Sequence, residues 1–146
     1  MGKKRVLFNI DLPDDWTDQT VHTFMGPDDS GIQHMLTVII DRDAGDIELN
    51  DFARERIDNM VDTLQSVDVL KDEQKDLENG EPVHEFVCRW IPTDDKVIYK
   101  KQIFMIVDGI GYTFSADFSK KTLKTIARQV EQMIVSFKPV DIPDDD

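Results

Sequence analysis

The residue types that do chemistry are all present in this chain, but their spacing does not suit them to it. His22, His34 and His84 are far apart, and no HxH, HxxxH or CxxC pair offers a metal two ligands from one element. None of Ser30, Ser66, Ser115, Ser119 and Ser136 sits in a GxSxG elbow. Gly109-Ile110-Gly111 is a fragment of a glycine-rich loop, yet it joins strand to strand, and a phosphate cradle needs a helix N-terminus behind it. The carboxylate pairs Asp14/Asp15, Asp28/Asp29 and Asp94/Asp95 fall in turn sequences, where a solvated carboxylate has no cause to acquire a catalytic pKa. Cys88, the single cysteine, lies mid-strand beside Val87 and reads as a small buried hydrophobe. No catalytic residue, metal or cofactor is expected. The pattern reads as a binding protein rather than an enzyme.

The composition frames that reading. At 146 residues, 40% of them apolar, the chain fits one domain over 1–146, with an ordered core at 6–138 and an acidic tail at 141–146. Its 17 Lys+Arg against 30 Asp+Glu give a net charge of −13, which repels phosphate backbones and argues against nucleic-acid partners. The charge keeps the chain soluble, or rims an apolar surface. The start Met1–Arg5 is basic, but Asp11 interrupts any signal-peptide core, and no apolar run approaches a membrane span. A cytoplasmic protein without stable membrane anchoring is expected.

Strands are predicted at Val6–Leu12, Thr20–Met25, His34–Arg42, Val67–Leu77, Val83–Ile91, Val97–Val107 and Ile110–Phe118, separated by Pro, Gly, Asn and Asp clusters. Asn79-Gly80 is a two-residue hairpin signal. Val67–Leu77 is polar, as a protected edge strand should be. Apolar residues at three- and four-residue spacing predict one helix over Asn50–Gln65, capped by Asn50, and another over Lys120–Phe137, capped by Ser119. The order β-β-β-α-β-β-β-β-α predicts an α+β fold, an antiparallel sheet packed by two helices.

MLTVII (Met35–Ile40), FVCRWI (Phe86–Ile91) and IFMIV (Ile103–Val107) are apolar on both strand faces. A half-exposed antiparallel strand would alternate. Two helices normally cover one face of one sheet, so the other face is closed in a homodimer, closed under a Pro27–Gln33 loop, or left as a groove for an apolar helix or strand of a partner. Gln102, an amide between Lys100 and Phe104, is costly to bury unpaired. It bonds either a neighbouring backbone group or the polar spots of an incoming helix.

DLPDDWTDQTVHTF (Asp11–Phe24), LTVIIDRD (Leu36–Asp43), LNDFARERIDNMVDTL (Leu49–Leu64) and the FVCRW and YKKQIFMIV strands resemble the DcrB-like domain. Within it they look most similar to the Eag chaperones, the effector-associated proteins of bacterial type VI secretion. The resemblance implies a PsbP-like sandwich, usually a homodimer, without cofactor or enzymatic activity. It implies a cytoplasmic chaperone that shields the N-terminal transmembrane helices of an effector. It places groove-lining positions at Val21, Thr23 and Ile39, helix positions facing cargo at Arg56, Met60 and Leu64, and a polar strand contact at Gln102. The alternative is a regulatory adaptor of the same fold that binds a folded protein through its acidic face.

Overall fold

A computed structural model describes residues 10–11, 13–16 and 19–139. They build one six-stranded antiparallel sheet from β1 (Gln19–Asp29), β2 (Ile32–Asp41), β3 (Asp68–Asp76), β4 (Pro82–Thr93), β5 (Lys96–Val107) and β6 (Ile110–Phe118). The order across the sheet is β1-β2-β6-β5-β4-β3. The predicted strand Val6–Leu12 falls mostly outside the described residues, and Ile10 and Asp11, which are described, take no strand. The tail at 141–146 also lies outside them.

Among the described residues both ends of the sheet are edges, and they are protected very differently. β3 carries Asp68, Lys71, Asp72, Glu73, Lys75 and Asp76, charges that discourage pairing with another chain. β1 has no charge from Gln19 to Gly26. The predicted break at Gly26–Asp29 is instead a register shift: β1 bulges between Met25 and Asp28 and then pairs again up to Asp29 with Ile32. Pro27, with no N–H to donate, is tolerated there because the strand is both bulged and at an edge. No Pro27–Gln33 loop therefore exists to cover a sheet face. The turn is the two residues Ser30 and Gly31, both at positive φ, as a tight hairpin needs.

The helices lie on opposite faces, not together as the sequence suggested. α1 (Leu49–Val61) packs Phe52, Ala53 and Ile57 against Phe86, Cys88 and Phe104 of β4 and β5. α2 (Ile126–Val135) packs Ile126, Val130 and Ile134 against Val83, Ile103, Met105, Phe114 and Phe118 on the reverse. Apolar residues on both faces of β4 and β5 thus have a helix on each side to bury them. Neither predicted cap holds. α1 starts before Asn50, at Leu49, with Glu48 at its N-cap and no side-chain cap bond. Ser119 Oγ instead accepts from the Thr122 N–H at 3.2 Å, closing a short 3₁₀ turn (Thr122–Lys124) ahead of α2.

Candidate functional site

α1 packs over β4 and β5, and its Phe52 ring reaches across to Gly111 at the start of β6. The floor beside it can be read from the register. Val21 pairs with Ile39, Ile39 with Thr113, and Thr113 with Phe104. The next row on the same face runs Thr23, Thr37, Ser115, Gln102 and Phe86. Phe104 and Phe86 lie under α1 and Thr113 of β6 is buried as well, whereas Thr37 and Ile39 of β2 are half-buried and Val21 and Thr23 of β1 exposed. Beyond them Met25 pairs with Met35. Val21, Met25 and Met35 are 54%, 65% and 44% exposed, large apolar side chains left in water on one surface. A hollow of about 310 Å³ opens on this floor between Met35, Thr37, Ile98, Lys100, Ser115 and Asp117.

One flank of α1 forms the wall. Arg56 forms an ion pair with Asp41 at the end of β2, donates to the Phe52 carbonyl at 3.2 Å, and lies 3.8 Å above the Phe52 ring. Met60, one helical turn on, is on the same flank. Leu64 lies past the helix end, in the turn held by the Leu64 N–H to Val61 carbonyl bond, and packs against the α1 core cluster. The other flank is tied away from the floor, Arg54 bonding Asp72 on β3 at 2.5 Å. Of the seven residues singled out in the sequence, Val21, Thr23, Ile39 and Gln102 thus share one face of the sheet, Arg56 and Met60 share one flank of α1, and Leu64 packs on the α1 cluster instead.

The floor has polar gaps. Gln102 is 8% exposed; its amide N–H donates to Ser115 Oγ at 3.4 Å, while its Oε1 has no partner among the described residues. Thr113 Oγ1 is also buried without one. Leaving such a group dry costs about 1–3 kcal/mol, so both are poised to accept or donate to an occupant. Thr113 and Ser115 escaped the sequence reading. The signal was in β6, where Gly111, Thr113, Ser115 and Asp117 alternate strictly with Tyr112, Phe114, Ala116 and Phe118.

Two of the histidines, His34 and His84, are buried and hydrogen-bonded. His34 bridges the Pro27 carbonyl and Thr122 Oγ1, each at 2.9 Å, and a carbonyl only accepts, so Nδ1 donates to it. His84 Nε2 meets Asp72 at 2.5 Å. Burial raises the Asp72 carboxyl, but Arg54 and His84 outweigh it and leave the pKa lowered. Cys88 is fully buried, and burial raises its thiol.

The sequence profile of the DcrB family matches residues 9–136. The chain belongs to the DcrB family. Among curated proteins none matches this DcrB domain significantly. Its fold is similar to PA94 of Pseudomonas aeruginosa, a protein of unknown function, with a TM-score of 0.65 at 18% identity over 90% of both chains. It is also similar to the cyanobacterial PsbP (CyanoP) of Synechocystis, with a TM-score of 0.51 at 14% identity over 80% of this chain and 79% of that one. LpqN of Mycobacterium tuberculosis, involved in cell envelope biogenesis, gives a TM-score of 0.50 at 11% identity over 84% and 83%. These likenesses make the DcrB domain an α+β, PsbP-like fold. No helix among the described residues is long and apolar enough to cross a membrane.

Proposed function

We propose that this DcrB protein is a non-enzymatic chaperone whose open floor shields apolar helices of a partner, the N-terminal transmembrane helices of a type VI secretion effector. One observation carries the reading: exposed Val21, Met25 and Met35 share the α1 face with Gln102 Oε1 and Thr113 Oγ1, which are buried further along the same rows without a partner among the described residues. An apolar helix would bury the first set, and its side-chain hydroxyls or backbone would bond the second. Size supports this. The 10 residues of β2 extend for roughly 34 Å at about 3.4 Å each, close to the ~30 Å of a membrane-crossing helix. The working form is a cytoplasmic homodimer, for which the uncharged free edge Gln19–Gly26 provides the contact.

Co-expression with an effector's N-terminal region tests the proposal. A soluble complex should form, and Ile39→Gln should abolish it without changing the fold, because Ile39 is only half-buried on the floor. Equal solubility of that region without this protein would overturn the reading. Salt separates it from the adaptor alternative. Apolar capture should persist at high ionic strength, whereas a partner held by the acidic surface should dissociate.

A further inference from the structure

The reverse face of the sheet has a concavity of its own, and it does not depend on the groove. Beside α2 a cavity of about 310 Å³ is walled by Leu70, Val87, Tyr99, Phe118, Leu123 and Ala127. Its floor is charged. Glu85, 2% exposed, receives Lys101 at 3.2 Å, Lys75 at 3.3 Å and Lys71 at 3.5 Å. Glu131 takes Lys101 at 2.7 Å and Lys75 at 3.6 Å. Three ammonium groups thus share two carboxylates. Lys71 has the longest contact to Glu85 and, at 53%, the most exposed side chain of the three, so it is the cation best placed to turn toward a ligand. The adjoining segment adds Lys120, Lys121, Lys124 and Arg128, with no acidic residue between Asp117 and Glu131. Of the charged residues that line the cavity, Lys71, Lys100 and Lys101 outnumber Glu85 in a chain whose net charge is −13.

The geometry points to a binding pocket for a small anionic amphiphile, its carboxylate or phosphate monoester on Lys71 and its hydrocarbon part against Leu70, Val87 and Leu123. A neutral apolar ligand would gain nothing from the Lys71 ammonium, and a cationic headgroup at the mouth would meet it as a like charge. The volume is at the small end of ligand pockets, which suits a single short chain rather than a two-chain lipid.

Titration of the full chain with decanoate, decyl phosphate and decanol, followed by NMR shifts of the Leu123 and Ala127 methyls, tests this. Both anions should saturate one site at least ten-fold more tightly than decanol. Lys71→Gln should weaken them at least five-fold, and Leu70→Glu, at a position 51% exposed and thus safe for folding, should abolish binding. Equal affinity for decanol, or unchanged affinity in both variants, would overturn the proposal. So would association with phosphatidylglycerol vesicles without binding of monomeric decanoate. Loss of decanoate binding in Ile39→Gln would place the probe in the groove on the opposite face, which also overturns it.

Discussion

Gly111 is where α1 is locked to the sheet. A Cβ built there would lie 2.3 Å from two ring carbons of Phe52, over 1 Å inside an ordinary contact. The ring cannot slide away. It is 1% exposed, meets Phe104 edge-on at 6.3 Å between centroids, and carries Arg56 at 3.8 Å. Gly111→Ala must therefore shift Phe52, and with it the helix. Overpacking of this kind costs about 1–3 kcal/mol. For a domain of this size that lowers Tm by roughly 2–12 °C. Urea unfolding of Gly111→Ala, Phe52→Leu and the double variant measures the contact directly. The smaller leucine should accommodate the new methyl, so the double variant should be more stable than the sum of the single losses by at least about 0.5 kcal/mol. Strict additivity, or an unchanged midpoint in Gly111→Ala, would refute the packing described here. Because Arg56 lies over the displaced ring, the single variant should also weaken capture of an apolar helix.

Burial raises the Glu85 carboxyl, but Lys101, Lys75 and Lys71 outweigh it and hold its pKa below the ordinary value. Its contribution should therefore be complete above about pH 4.3 and disappear as the pH falls through the lowered folded pKa, and an acid titration of stability should lose that slope in Glu85→Gln. The same variant breaks a buried pair and should cost about 3–5 kcal/mol in denaturant unfolding. Cys88 should react with iodoacetamide at the rate of global unfolding, since it is fully buried and its thiol is raised; fast labelling of the native protein would contradict that. His34→Ala should cost about 1–3 kcal/mol by freeing Thr122 and the Pro27 carbonyl, measured by thermal unfolding.

Much of this fold was legible because local signals agreed with it. Asn79-Gly80 does mark the turn from β3 into β4, but that turn runs from Leu77 to Glu81 rather than over two residues, with the Gly80 N–H donating to the Leu77 carbonyl at 2.8 Å. Asp108 and Gly109 turn β5 into β6 with both φ positive. The placement of the helices was not legible. Apolar periodicity says which side of a helix is buried, not which face of a sheet receives it, and the runs at Phe86–Ile91 and Ile103–Val107 are equally consistent with a helix on each side or a partner on one. The bulge at Met25/Asp28 also lay beyond sequence reasoning, since Gly26-Pro27-Asp28-Asp29 has the composition of a terminating turn. Val21 and Ile39 were singled out through family resemblance, and Gln102 also from its place between Lys100 and Phe104. Thr113 and Ser115 needed the register of β6 on β2 and β5 to join them.

The two margins of the sheet set a limit on assembly. Two copies meeting through their bare β1 margins would form a continuous twelve-stranded surface, twice the six strands of one copy. Both outward margins of that surface would then be the charge-bearing β3. No bare margin would remain, so growth would stop at a pair and could not run on into a fibre.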